Sequence, residues 1–243
     1  MWNILAISLA SGVCTPIGAW MVLGFRTVWP PMLAFFLALA SGVMLAVVFT
    51  ELMPASIDLH GYVGFGVGMA VGILLIAAVG HLWHHRQRSA PLPLERLYRT
   101  GQSIALAIAV HDLPEGMAIG AGDMVHARLG LAIAAAIALH NLPEGMSIAA
   151  PLSAAGVSRR RILATTGLIS LATPFGTAIP LIFGQLSPVF SGFILAVASG
   201  AMVYVVAHDT LPEAWLSNKA MTGVGLAVGG LLMVAISHLA QAL

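Results

Sequence analysis

The chain has 243 residues, of which 59% are hydrophobic and only 8% are charged, and its formal net charge is +1. Soluble domains carry about 25% charged residues, so this composition excludes a soluble protein. It predicts an all-α integral membrane protein surrounded by lipid, and no nucleic-acid partner is expected. The single cysteine, Cys14, excludes an intrachain disulfide and a cysteine-rich metal cluster.

Eight stretches of apolar residues are long enough to cross a bilayer as helices, which takes roughly twenty residues. In chain order we place these predicted spans at residues 1–24, 32–54, 62–83, 101–122, 127–151, 162–184, 189–212 and 221–241. Prolines, glycines and polar residues separate them, at Pro30-Pro31, residues 58–61, residues 159–161 and residues 217–219. The chain is therefore predicted to contain eight transmembrane helices.

The basic residues predict the orientation of these spans. With the N-terminus outside, nine of the ten Lys and Arg residues fall in inner loops, and only Arg128 falls outside. The nine are Arg26, Arg86, Arg88, Arg96, Arg99, Arg159, Arg160, Arg161 and Lys219. We therefore expect both termini outside, in a bacterial inner (plasma) membrane, with residues 84–100 as a cytoplasmic loop. His84 and His85 begin that loop, either as a solvated pair or as a metal sensor.

The sequence also repeats itself. Residues 66–82 and 223–239 match at eleven of seventeen positions, and Thr15-Pro16-x-Gly18 recurs as Thr173-Pro174-x-Gly176. The offsets of 157 and 158 residues pair spans 1–3 with spans 6–8, which cross the membrane in opposite directions. We predict one transporter domain, 1–243, with repeat A (1–83), the loop, central helices (101–151) and repeat B (160–243). This 3+2+3 inverted repeat is typical of secondary transporters.

Spans 4 and 5 each contain a copy of one polar motif. Residues 111–117 read HDLPEGM and residues 140–146 read HNLPEGM. Ionisable side chains inside a membrane are costly and usually functional. Residues four apart share a helix face, so each histidine points the same way as the glutamate of its own motif. Pro114 and Pro143 leave the carbonyls of Val110 and Leu139 without their helical donor.

The two motifs together predict a metal site near the middle of the bilayer. The candidate ligands are His111, Asp112, Glu115, His140, Asn141 and Glu144. Nitrogen and oxygen ligands of this kind suit Zn²⁺, Fe²⁺, Mn²⁺, Co²⁺ or Cd²⁺. Six ligands exceed the four of a tetrahedral zinc site, and two metals bridged by Glu115 and Glu144 would use them all. The alternative is a hydrogen-bonded polar cluster that holds the two helices together.

Three further polar residues lie near the predicted membrane surfaces. Glu51 comes late in span 2 and is expected near the outer face, whereas His208 and Asp209 come late in span 7 and are expected near the inner face. They are interpreted either as ligands where metal enters and leaves or as interface residues whose polar ends reach water.

The paired motifs in consecutive spans resemble those of the ZIP (Zrt-, Irt-like protein) divalent-metal transporters, and most closely the bacterial branch with HN-x-PEG motifs in both helices. The resemblance covers essentially the whole chain. It implies a binuclear metal site on the six residues named above, a homodimer, and an elevator-like movement of helices 1, 4, 5 and 6. Asp112 departs from the asparagine common in that family, and span 6 has no carboxylate.

The sequence therefore predicts a carrier, passive or proton-linked, that moves divalent transition-metal ions, Zn²⁺ first among them, into the cytoplasm. The metal is its substrate, and no cofactor and no enzymatic activity are expected. One alternative is a membrane-embedded metal hydrolase with Glu115 or Glu144 as its general base. Another is a metal-independent proton or solute carrier that uses the same residues as a relay.

Overall fold

A computed structural model describes residues 2–25, 27–84, 93–125, 127–183 and 187–241, and all the regular secondary structure in these ranges is helical. The helices are α1 (Trp2–Leu23), α2 (Pro30–Val47), α3 (Met53–His84), α4 (Pro93–Val125), α5 (Ala127–Ala154), α6 (Arg159–Ile169), α7 (Ala172–Phe183), α8 (Pro188–Val205), α9 (Leu211–Ser217) and α10 (Lys219–Gln241). Two five-residue π-helical segments, π1 (Val48–Leu52) and π2 (Val206–Thr210), join α2 to α3 and α8 to α9.

Six helical segments of the described chain are long and apolar enough to cross a membrane. They are Asn3–Leu23, Pro30–Ala78, Leu94–Met124, Arg159–Phe183, Pro188–Ser217 and Lys219–His238. The second of these contains predicted span 2 and most of predicted span 3, because the helix continues through the proposed boundary at residues 58–61. The backbone is interrupted there only at Gly61, whose φ of 76° favours glycine.

Two other regions differ from the prediction in detail. Residues 93–100 of the loop predicted at 84–100 are helical, since α4 begins at Pro93, where a proline is tolerated in the first helical turn. Predicted span 6 is divided into α6 and α7 at Ser170 and Leu171. Pro174 explains this break, because it has no N–H to donate to the carbonyl of Ser170.

Three of the basic residues that predicted the orientation, Arg26, Arg86 and Arg88, lie outside the described residues. His85, from the predicted loop, also lies outside them. His84 is the last residue of α3. Arg159, Arg160 and Arg161 are exposed at the start of α6. Arg96 is paired instead, since its Nε lies 2.8 Å from Oε2 of the buried Glu213 on α9.

The exterior of the molecule is apolar and part of its interior is polar. Val63, Phe183 and Leu231 are among the large apolar side chains that are more than 70% exposed. The main apolar core includes Leu37 of α2 and Ile108 of α4, and is surrounded by these helices with α5 and α8. A surface of this kind is what an integral membrane protein presents to lipid.

The helices pack in two groups. In the first group α1 packs on α5, and α4 packs on α5 and α7. In the second group α2 packs on α10, and α3 packs on α8. We call these the motif bundle and the outer group, because the first contains both polar motifs.

Glycines allow the closest contacts within the motif bundle. A Cβ on Gly145 of α5 would overlap the carbonyl oxygen of Thr15 on α1. A Cβ on Gly116 of α4 would overlap the carbonyl oxygen of Thr173 on α7 in the same way. Each motif is therefore held against a Thr-Pro sequence of another helix by its own glycine.

Candidate metal-binding site

The two polar motifs meet across the α4–α5 contact. His111 Nε2 lies 3.0 Å from Glu144 Oε1, and His140 Nε2 lies 2.9 Å from Glu115 Oε2. Each histidine therefore pairs with the glutamate of the other motif rather than with its own. His and Glu four residues apart share a helix face, and the packing of α4 on α5 turns these two faces toward each other.

All six candidate ligands are buried, with exposed fractions of at most 4%. Buried charges are tolerated only when they are paired or bind a metal. One oxygen of Glu115 and one of Glu144 have no hydrogen-bond partner among the described residues. These two oxygens can bind a cation while the other oxygen of each carboxylate contacts a histidine.

His111 has the arrangement that metal-binding histidines usually show. Its Nδ1 donates to the carbonyl oxygen of Ala107, 3.0 Å away. When the ring is neutral, the lone pair then lies on Nε2, the nitrogen that points at Glu144. A backbone carbonyl at the second nitrogen fixes both the tautomer and the ring orientation.

Asp112 belongs to the same cluster. His111, Asp112 and Glu115 each offer one ligand atom, and these atoms lie within 4.8 Å of one another. Asp112 Oδ1 is 3.5 Å from His111 Nε2, and neither Asp112 oxygen has a hydrogen-bond partner among the described residues. Three donors at this spacing can surround one divalent ion.

Asn141 is placed differently from Asp112. Its Nδ2 donates to the carbonyl oxygen of Ser11 on α1, 3.0 Å away. The amide is thereby held toward α1, while its Oδ1 is buried without a hydrogen-bond partner in the described chain. The equivalent positions of the two motifs therefore have different contacts.

The three polar residues predicted near the membrane surfaces, Glu51, His208 and Asp209, lie in two separate places in the structure. Glu51 in π1 is half-buried, and it interacts electrostatically with His140 and Glu115. It therefore lies within reach of the two motifs. Glu51 is part of the π-helical segment π1, and Pro54 lies two residues after this segment. Single π-helical turns are frequent at functional sites.

His208 and Asp209 in π2 lie beside a separate cavity of about 600 Å³. His208 Nδ1 is 3.3 Å from Asp209 Oδ1, and its ring stacks on Tyr204 at 4.9 Å. His81 of α3 lines the same cavity as His208 and Asp209, the two residues that the sequence analysis identified.

Sequence reasoning missed the hydroxyl groups next to the motifs. Ser11, Thr15 and Thr173 are buried, and their side-chain oxygens have no hydrogen-bond partner among the residues described. The repeated Thr-Pro pair was the available signal, but it was used only to align the two halves of the chain.

Buried histidines and carboxylates inside an apolar helical bundle fit an integral membrane protein of the metal-transporter class. The comparisons with known proteins agree. The family model described as ZIP zinc transporter matches residues 84–237. The chain belongs to this ZIP family, as the paired motifs predicted, and it is a transporter rather than an enzyme.

Relatives of known annotation align along nearly the whole chain. Zinc transporter ZupT of Corynebacterium glutamicum is 34% identical, covering 96% of this chain and 97% of the relative. Zinc transporter ZupT of Chlorobium luteolum is 35% identical, covering 97% and 96%. Zinc transporter ZupT of Salmonella arizonae is 34% identical, covering 95% of each.

Proposed function

We propose that the chain carries divalent transition-metal ions, Zn²⁺ above all, across the membrane and into the cytoplasm. The observation that supports this most directly is the exchanged pairing of His111 with Glu144 and of His140 with Glu115. The names of the ZupT relatives supply the choice of Zn²⁺. Fe²⁺, Mn²⁺, Co²⁺ and Cd²⁺ suit the same nitrogen and oxygen ligands.

The metal would bind between α4 and α5. His111, Glu115, His140 and Glu144 are its ligands in this proposal, with Asp112 alongside them and Asn141 at the edge. Two carboxylates that each face both motifs are suited to bridging two metals, so a binuclear site is the form we propose. Removal of one ligand leaves the others incorrectly oriented and lowers affinity strongly.

Alternating access by an elevator-like movement is supported by the division of the helices. The motif bundle contains α1, α4, α5 and α7, which pack on one another, whereas the most extensive contacts of the outer group are those of α2 with α10 and of α3 with α8. In this proposal the bundle slides as one body and carries the metal with it. Glu51 would receive the ion on the outer side, and His208 with Asp209 would release it on the inner side.

The inverted repeat is supported by contacts that recur at its offset. Gly229 of α10 meets the carbonyl of Leu39 on α2, and Gly72 of α3 meets the carbonyl of Val197 on α8. The two π-helical segments also start 158 residues apart, at Val48 and Val206. We therefore propose the eight-span, 3+2+3 arrangement with both termini outside the inner membrane.

The test is metal uptake by sealed vesicles that contain the purified chain. Zn²⁺ accumulation that saturates and is inhibited by the other divalent ions is the expected result. Proton movement without metal uptake would favour the relay alternative and would contradict the proposal. Cross-linking in the membrane tests the homodimer, which rests on the resemblance alone.

A further inference from the structure

An ion pair connects the motif bundle to the outer group near the start of α4. Arg96 Nε lies 2.8 Å from Glu213 Oε2, and Arg96 Nη2 donates to Glu213 Oε1 at 3.3 Å. Arg96 belongs to α4 of the bundle, whereas Glu213 belongs to α9, which packs on α2 and α10 of the outer group. A guanidinium that binds both oxygens of a carboxylate makes one of the stronger polar contacts in proteins. We call Arg96 and Glu213 the cross-group pair.

The two members of the cross-group pair differ in exposure. The side chain of Glu213 is only 6% exposed, whereas that of Arg96 is 48% exposed. When such a pair separates, the guanidinium can be hydrated, but the buried carboxylate loses a partner that water does not replace. Separation is therefore penalised chiefly at Glu213.

Close glycine contacts show where the two groups can move against each other. In the bundle a Cβ on Gly145 would overlap the carbonyl oxygen of Thr15, and in the outer group a Cβ on Gly229 would overlap that of Leu39. Within the described ranges, glycine contacts of this kind between two helices all lie inside one group. They fix the two helices relative to each other, because sliding would press side chains against backbone. The boundary that the cross-group pair spans is not fixed in this way in the described chain.

One half of the proposed repeat forms such a pair and the other half cannot. Pro54 and Pro212 are equivalent at an offset of 158 residues, so the equivalent of Glu213 is Ala55. Alanine has no group that can pair with a cation. With equal contacts in both halves, the two ends of a sliding movement would be similar in free energy. A charged pair in one half makes them unequal, and so biases the population toward one of them.

We propose that the cross-group pair has a positioning role: it holds the motif bundle in the position described here and must open before the bundle can slide. The inference rests on the elevator-like movement of the proposed function. Neither residue needs to contact the metal, so the pair acts on transport only through the position of the bundle. Opening leaves the Glu213 carboxylate without its partner, and this raises the free energy of any position in which α4 has moved away from α9.

The experiment measures the distance between the two groups by pulsed electron paramagnetic resonance, with the full-length protein in lipid nanodiscs. Spin labels are attached to Phe175→Cys on α7 and Leu231→Cys on α10, in a Cys14→Ser background. Both native side chains are exposed, so the labels leave the core undisturbed. Labelled protein is diluted with unlabelled protein, so that each distance comes from one chain. Two positions of the bundle give two distances, and the ratio of their populations gives the equilibrium between them.

Glu213→Gln and Arg96→Gln each remove the ion pair and keep a side chain of moderate size. We expect each variant to raise the ratio of the moved position to the present one by about fivefold, the upper range for a partly exposed ion pair. The double variant should give the same ratio as either single variant, because one interaction can be lost only once. If Arg96→Gln does not fold, Glu213→Gln decides alone, since it leaves no buried charge.

Glu95→Gln is the matched control. Glu95 pairs with Arg99 inside α4, so this substitution removes a Glu–Arg pair from the same helix end without affecting a contact between the groups. The control should keep the distance distribution of the unaltered chain. An unchanged ratio in Glu213→Gln would overturn the proposal, and so would additive effects in the double variant.

Zn²⁺ uptake by vesicles is measured separately, so that the positioning role and the transport proposal can fail independently. Normal uptake with a ratio that ignores Glu213→Gln would contradict the positioning role and leave the transport proposal intact. A ratio that responds to both single variants, in a protein without Zn²⁺ uptake, would support the positioning role and contradict the transport proposal. A single distance in every variant would contradict both the positioning role and the elevator-like movement.

Discussion

The motif on α4 and the motif on α5 differ at one buried position, and their surroundings differ with it. Asn141 is tied to α1 by a hydrogen bond to the carbonyl of Ser11. Asp112 cannot donate such a bond when it is ionised, and its two oxygens have no hydrogen-bond partner in the described chain. The α5 motif is therefore anchored to its neighbouring helix, whereas the α4 motif offers a negative charge to a ligand.

The comparison shows that the two copies of a duplicated motif share some contacts and differ in others. The His and Glu of each copy make equivalent contacts with the other copy, 3.0 and 2.9 Å long. The residue after each histidine breaks this equivalence. We expect the shared residues to be needed equally in both halves, and the differing residue to adjust which cation binds.

The largest expected effect concerns Glu115 and Glu144, which make equivalent contacts with the histidine of the other motif. Glu115→Ala and Glu144→Ala should each reduce Zn²⁺ uptake in vesicles to the level of protein-free vesicles, because each removes a proposed ligand and leaves a buried histidine unpaired. Glu95→Ala is the control, since Glu95 pairs with Arg99 at the partly exposed start of α4. A well-folded Glu144→Ala variant with normal uptake would show that the two motifs are not equivalent.

The glycines of the two motifs should be equally sensitive in stability. Gly116→Ala and Gly145→Ala each place a Cβ against a backbone carbonyl that cannot move independently. Overpacking of this kind costs about 1–3 kcal/mol, which thermal unfolding in detergent would detect. Gly167→Ala is the control, because nothing lies within 4 Å of a Cβ there. If Gly116→Ala melted like this control, the contact of α4 with α7 would have to be looser than described.

Exchange of the differing residue should change selectivity while transport continues. Asp112→Asn removes the negative charge and reproduces the residue found in the α5 motif. Competition between Zn²⁺ and the harder Mn²⁺ should shift toward Zn²⁺ by roughly tenfold, or about 1.4 kcal/mol. Asn141→Asp is the reciprocal variant, and it should shift the same ratio toward Mn²⁺. Unchanged ratios in both variants would place this position away from the metal.

The substitutions expected to disturb the protein least are single cysteines, whose labelling shows which side of the membrane each position faces. Glu51→Cys and Asp209→Cys, each in a Cys14→Ser background, place thiols at equivalent positions of the two proposed repeats. Impermeant thiol reagents should label Glu51→Cys from outside and Asp209→Cys from inside. Labelling of both from one side would contradict the inverted arrangement and the assignment of the two ends of the pathway.

Much of the candidate site could be predicted from the sequence because helix geometry is local. Spacing of four residues places His111 with Glu115, and His140 with Glu144, on shared faces whatever surrounds them. The exchanged pairing could not be predicted, since it depends on how α4 and α5 are rotated about their axes. The glycine contacts with Thr15 and Thr173 are what hold each helix in that rotation.

Composition by itself determined that the chain is an all-helical membrane protein, and the paired motifs indicated metal binding, because hydrophobic length and ligand chemistry are properties of short segments. The likeness of those motifs to the ZIP family then predicted a metal transporter. Only the tertiary structure decided where predicted span 6 breaks and how far α4 extends. It also decided that Ser11, Thr15 and Thr173 lie on helices that pack against the two motifs. These residues are distant in sequence and polar in ordinary ways, so their proximity follows from helix packing, and no local pattern could have indicated it.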